Sequence, residues 1–227
     1  MNDKKPDLRV IALNFLAVLV FMAVLLFWPA GTIWWKEAWI MLAFFVLQVS
    51  IDMTLLETLS PGLLQERFRP GPGAKKWDTF ILVGLLVTVC STFLSAGLDH
   101  RYGWTPHLAV LKPAVLLYFV GGCIISWSMT INPFFSKVVR IQTDRGHHLI
   151  DSGPYRLVRH PGYTGWLLQW LAVPLILNAL LSFIPVLCTT ALLVIRTKWE
   201  DETLALELPG YQQYRGRVQF RLFPGVW

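Results

Sequence analysis

The chain is short of charge. Only 15% of its 227 residues are Asp, Glu, Lys or Arg, against roughly a quarter in an ordinary soluble domain. Cysteine is scarce too: Cys90, Cys123 and Cys188 are all there is, each inside an apolar stretch and far from the others. That gives no disulfide framework and no metal-ligand spacing, so the role expected of all three is buried packing, and no metal site is expected. No G-x-G-x-x-G stands between a strand and a helix pattern, which removes the dinucleotide-binding signature. No small-residue cleavage site follows the first apolar block, which ends at Trp28-Pro29, so a cleavable leader is not expected. Internal repeats are absent as well.

What the chain has in excess is apolar length. About 20 apolar residues cross a bilayer. Ile11–Trp28 is interrupted only by Asn14, and Trp39–Leu56 only by Gln48, Ser50, Asp52 and Thr54. Thr79–Gly97 and Leu108–Ile131 are similar, the latter with Lys112 near its edge. A last block, Trp166–Ile195, is too long for one span, and Pro174, Asn178, Ser182 and Pro185 break it into two short halves. The expected class is an all-α integral membrane protein with four transmembrane helices and a C-terminal broken helical hairpin. It divides into an N-terminal membrane part, 1–131, and a second region, 132–227. Ser60–Gly73, rich in Pro and Gly, reads as an irregular connection.

The net charge of +6 could point to nucleic acid, and its distribution decides otherwise. If each block crosses once and the last goes there and back, only Lys36, Arg101 and Lys112 fall on one side. Every other Lys and Arg falls on the side of the N-terminus, including Lys4, Lys5 and Arg69. The positive-inside rule makes that side the cytoplasm and puts both termini there. The basic excess then serves topology and lipid headgroups, not nucleic acid.

Chemistry concentrates after Asn132. The run His147-His148-Leu149-Ile150-Asp151-Ser152-Gly153-Pro154-Tyr155-Arg156-Leu157-Val158-Arg159-His160-Pro161-Gly162-Tyr163 combines a tight bend at Gly153-Pro154 with two cation-capable side chains before Pro161. Pro161 suits the first turn of a helix, and a helix start offers free N–H groups to anions. Beyond the hairpin, Arg196-Thr197-Lys198-Trp199-Glu200-Asp201-Glu202 places Arg196 and Glu200 one helical turn apart. Such a pair on a surface is worth roughly 0.2–0.5 kcal/mol. Emerging from a membrane helix, ionisable residues are functional suspects. The tail from Tyr211 to Trp227 reads as an amphipathic interfacial segment with a structural use.

GPYRLVRHPGY, a broken apolar hairpin, R-x-x-x-E with a following acid, then GYxxYxxxV and a terminal PG together resemble the isoprenylcysteine carboxyl methyltransferase family. Phospholipid N-methyltransferases share the RHPxY and acidic parts. The resemblance covers about Asn132–Trp227. It implies a multi-span enzyme with S-adenosyl-L-methionine in a cytoplasm-facing pocket formed by the loop and the tail. Carried over by motif, His147, His148, Leu149, Ile150, Tyr155, His160, Pro161, Gly162 and Tyr163 line the cofactor site. Gln142 is added at a spacing that differs from the family's. Glu200 holds the cofactor, His160 bonds its carboxylate, and Arg196 faces the acceptor; these three are the expected catalytic residues. The family has Glu-Glu where this chain has Glu200-Asp201.

Methyl transfer to a carboxylate needs positioning more than acid–base chemistry, and Arg196 suits bidentate orientation of an anionic acceptor. The expected partners are therefore lipids and a membrane-dissolved acceptor of lipidic or isoprenoid type, with no obligate protein partner. A second enzyme reading is an intramembrane sterol-type reductase using NADPH. Those reductases share the terminal tyrosines and PG ending, and have Asn where this chain has Gly162. A reading of another class is a non-catalytic membrane scaffold or transporter, which leaves the His-Arg-Tyr cluster without a role.

Overall fold

The computed structural model describes residues 8–68 and 70–227; Lys4, Lys5 and Arg69 of the charge distribution lie outside them. The described residues form helices, turns and loops, with no strand among them. Four long helices match the apolar blocks: α1 (Leu8–Ala30), α2 (Lys36–Leu59), α4 (Lys76–Tyr102) and α5 (Leu111–Ile131). α1, α2 and α4 overrun their apolar blocks at both ends because the flanking residues remain helical, while α5 starts at Leu111, inside its block. At about 1.5 Å per residue, lengths of 21 to 27 residues suffice to cross about 30 Å of hydrocarbon. Their outer faces carry exposed Leu13, Phe80, Leu86 and Leu116, an apolar surface that water would not tolerate at this extent. Including the last long helix, five helices are long and apolar enough to span. This is a multi-pass membrane protein.

Two glycine contacts set the bundle's packing. A Cβ at Gly97 would lie 2.5 Å from Pro29 Cγ and 2.6 Å from the Leu26 carbonyl, so α4 reaches the backbone of α1 only because Gly97 has none. Gly121 on α5 and Gly165 stand in the same relation, each Cβ position 2.5 Å from the other's carbonyl oxygen. Small residues allow such close approach of membrane helices.

Three expectations need correction. The 60–73 connection is not wholly irregular: α3 (Pro61–Phe68) occupies its first part. Pro61 opens it, the Ser60 carbonyl accepts from the Leu63 and Leu64 N–H groups, and Leu63 and Leu64 bury against Leu56 and Met129. The hairpin is broken as expected but its arms are unequal. The first, α6 (Pro161–Leu177), starts on Pro161 and ends at Asn178, which takes the left-handed conformation at φ 54°. After one 3-10 turn the second, α7 (Phe183–Glu207), runs for 25 residues. Pro185 does not shorten it, because it falls in the first turn, where an N–H has no partner in any case. Finally, the cysteines are not buried: Cys123 and Cys188 are exposed and Cys90 is intermediate. An apolar residue of a membrane helix can face lipid as readily as the core.

The helices sort the loops to two ends. At one end lie the short turns 31–35, 103–110 and 178–182. There the buried Asp99 accepts from the Thr105 N–H and hydroxyl and from the Leu181 N–H, pinning the hairpin tip. At the opposite end lie α3, the segment 132–160, and the tail with α8 (Tyr211–Arg217). The chemistry-bearing residues of the sequence gather there.

Candidate active site

Pro161 fixes the start of α6 and so sets His160 as its cap and Arg159 just ahead. The backbone of these two residues is held by the tail: Arg159 N–H donates to the Phe220 carbonyl (3.0 Å) and His160 N–H to the Arg221 carbonyl (2.9 Å). The Arg159 guanidinium forks onto Asp201 at 2.7 and 2.9 Å and donates through Nη1 to the carbonyls of Val218 and Gln219. Asp201, with no exposure, also accepts from Tyr211 (2.9 Å) and Arg221 (3.0 Å) and lies 3.4 Å from His160 Nε2. Burial, then the Asp201 charge, pushes the Tyr211 phenol up, so it remains a donor.

A second buried pair lies beside it. Arg196 donates from Nε and Nη2 to the two oxygens of Asp78, at 2.7 and 3.1 Å, and from Nη2 to the Lys137 carbonyl. Asp78 also accepts the Val139 N–H at 2.8 Å. This fastens α4, the segment after α5, and α7 together. The guanidinium carbon stands 5.4 Å from the centre of the Tyr163 ring, and the Tyr163 hydroxyl donates to Glu200. Glu200 itself belongs to no ion pair among the described residues. Arg196 and Glu200, one turn apart on α7, therefore have different partners and are not a surface salt bridge.

A third cluster shapes the loop. Arg140 forks onto Glu66 of α3 at 2.9 and 2.8 Å and onto Asp144. Gln142 is 1% exposed; its amide donates to the Phe134 carbonyl and accepts from Arg145, and its N–H donates to His147 Nδ1 at 3.2 Å. The His147 ring stacks on Phe134 at 4.4 Å between centroids. Burial, then the neighbouring His148, Arg140 and Arg145 charges, lowers His147 from 6.5 to about 4.

The sign follows from linkage. A histidine depressed in the folded state binds its proton better when unfolded, so it costs nothing above about 6.5 and destabilises progressively as pH falls towards 4. In detergent, thermal stability should drop over that window, and His147→Gln should flatten the drop. A pH profile identical in the variant would show that His147 does not carry it.

These clusters frame one cavity of about 760 Å³. Of the expected site residues, His147, His148, Leu149, Ile150, Tyr155, His160, Gly162, Tyr163, Arg196 and Glu200 line it. Tyr155 and Glu200, far apart in sequence, share it. Gln142 and Pro161 are not among the lining residues; Gln142 instead braces the loop that carries His147. From the polar end the cavity extends between Phe21 of α1, Met41 and Phe45 of α2, Leu86 of α4 and Trp170 of α6. Asp78, Tyr211 and Tyr214 were not legible as site residues. Asp78 is a lone acid at the edge of an apolar run, and the two tyrosines looked like membrane anchors. Both are instead buried, at 3% and 1% exposure, and line the cavity.

A helical bundle of membrane-spanning length around a cavity polar at one end and apolar along its depth defines a multi-pass membrane protein with an internal cavity. Residues 114–206 match the isoprenylcysteine carboxyl methyltransferase (ICMT) family, which shows the resemblance over α5, the loop, α6 and most of α7. A Delta(14)-sterol reductase of Mus musculus is 39% identical over 100 residues, 42% of this chain and 24% of that protein. Probable protein-S-isoprenylcysteine O-methyltransferases of Oryza sativa subsp. indica and subsp. japonica are each 48% identical over 40 residues, 18% of this chain and 21% of theirs. The chain thus spans about a quarter or less of the curated relatives it matches.

Proposed function

We propose that the protein is an integral membrane methyltransferase that uses S-adenosyl-L-methionine and acts on a lipidic or isoprenoid acceptor, with a carboxylate the favoured group. The observation that carries this reading is the single cavity joining the loop-and-tail end to an apolar channel between α1, α2, α4 and α6. Its volume lies in the range of small-molecule sites. A soluble ligand fits the first part and a bilayer-dissolved one the second.

The donor set suits the cofactor. Glu200 is a cavity-lining carboxylate whose one hydrogen-bond donor among the described residues is the Tyr163 phenol, so its charge is available to a cationic ligand. His160, between Asp201 and Tyr211, offers a ring edge for a carboxylate. When bound, the cofactor supplies an electrophilic methyl on sulfur. Arg196 would anchor the acceptor. Since its Nε and Nη2 are committed to Asp78, Nη1 is the donor left for that task, in place of the two-bond fork expected from sequence.

The reductase reading has one observation in its favour, the sterol reductase match. Against it stands Gly162, where the reductases resembled in sequence have Asn. A Cβ there would meet Phe135 at 2.3 Å, so this site is closed to that side chain while Phe135 keeps its place. Isothermal titration of the detergent-solubilised protein with S-adenosylhomocysteine and with NADPH separates the two. Binding of the first alone is the expected result, and binding of NADPH alone overturns the reading. The proposed orientation puts both termini and the loop-rich end in the cytoplasm. Lys75→Cys and Arg217→Cys should then label from the same face; labelling from opposite faces refutes it.

A further inference from the structure

Partway down the apolar arm of the cavity the lining turns polar. Gln48 and Asp52 of α2, Ser126 of α5 and Gln169 of α6 meet where Gly122 leaves room for them. A Cβ on Gly122 would lie 2.1 Å from Gln48 Oε1 and 3.1 Å from Gln169 Nε2. The first three satisfy one another: Gln48 Nε2 donates to Asp52 (3.0 Å) and Ser126 (3.1 Å), and the Ser126 hydroxyl donates to Asp52. Gln169 is different. It lines the cavity at 9% exposure, and its Nε2 is the buried side-chain polar atom without a hydrogen-bond partner among the described residues. Leaving a buried amide donor unpaired is costly, and orphaned groups of this kind ask for a reason. An apolar residue would serve packing better. Polar groups at membrane depth are functional suspects, and a few polar groups in an apolar pocket fix which ligand is accepted.

We propose that Gln169, backed by Gln48, Asp52 and Ser126, is a specificity subsite for an oxygen atom carried along the hydrocarbon chain of the acceptor, as a hydroxyl or carbonyl. Where it stands, Gln169 Nε2 is buried against Gly122; turned into the cavity that the side chain lines, it donates to the oxygen, which completes the polar patch. Gln169 lies six residues beyond Tyr163 on α6, roughly 9 Å deeper at the helical rise, so the oxygen belongs well down the chain from the group that reacts. The substrate class is then an oxygenated lipid and not a plain hydrocarbon tail. This rests on the reading of the cavity as an acceptor site.

The test compares stearate with 10-hydroxystearate, titrated into the detergent-solubilised protein saturated with S-adenosylhomocysteine. The wild type should bind 10-hydroxystearate about tenfold tighter, the worth of one hydrogen bond. Gln169→Leu should abolish the preference while keeping stearate affinity, and Gln48→Met should reduce it. Affinity for S-adenosylhomocysteine, measured on each variant, reports whether the fold survives. Equal binding of both acids by the wild type, or a preference that survives in Gln169→Leu, overturns the subsite. If S-adenosylhomocysteine titrated alone shows no binding, the acids are titrated without it, and a preference for the hydroxylated acid then leaves the subsite standing and overturns the methyltransferase reading instead.

Discussion

Asp201→Ala should destabilise the protein by about 3–5 kcal/mol, the cost of removing one partner of a buried ion pair. Asp201 is fully buried, accepts from Arg159, Arg221 and Tyr211 and pairs with Arg215 at 3.8 Å, so its loss leaves three cations and a phenol facing an empty site. Thermal unfolding in detergent reads the loss directly, and cofactor binding should fail with it because His160 loses its neighbour. Asp201→Glu is the more discriminating change, since the family resembled has Glu at this position. Here the carboxylate is enclosed, and one more methylene forces displacement of Arg159 or Tyr211, costing typically 1–3 kcal/mol. A glutamate variant as stable as the parent would show that the cluster has slack, and that the shorter acid carries no consequence.

Glu200→Gln and Arg196→Lys should fail in different ways. Among the described residues Glu200 accepts from the Tyr163 hydroxyl alone, so its amide variant should fold and should weaken S-adenosylhomocysteine by about 1.5–3 kcal/mol, as expected for a hydrogen bond to a charged group. Arg196→Lys keeps the charge but loses the planar fork that grips both oxygens of Asp78. Cofactor affinity should then change little while turnover falls with any acceptor. Asp78→Asn should reproduce that pattern, because its carboxylate holds the guanidinium in place. Calorimetry and methyl-transfer assays on the three variants check this. Equal and negligible effects of Glu200→Gln and Arg196→Lys on binding and on turnover would return both residues to a structural role.

The legible part of the fold was the part governed by hydropathy. Long apolar runs must be helices in lipid, where every backbone group has to be paired internally, so α1, α2, α4 and α5 could be read within a few residues. The polar run after Asn132 could be read because its His, Arg, Tyr, Gly and Pro sit together in sequence. What escaped was pairing across distance. Asp78 and Arg196 are 118 residues apart, and nothing local in either helix announces the other. α3 escaped because its eight residues carry their helical signal in Pro61 and two leucines that bury only against α2 and α5. The tail's tyrosines escaped for a related reason: Tyr211 has the composition of a membrane anchor, and only the fold brings it to Asp201.

The backbone bonds between Arg159, His160 and the tail make the closure of the pocket measurable. The amide protons of Arg159 and His160 are held by the carbonyls of Phe220 and Arg221, residues of a different segment and not of a regular helix. They can exchange with solvent only when the tail lifts off, so their exchange rates report the free energy of that local opening, separately from global unfolding. A ligand that lodges against His160 only in the closed state raises that energy by RT ln(1 + L/Kd), L being its free concentration, so the slowing grows with ligand concentration. The slowing of two amides thus becomes a residue-level measure of occupancy that needs no turnover and no knowledge of the acceptor.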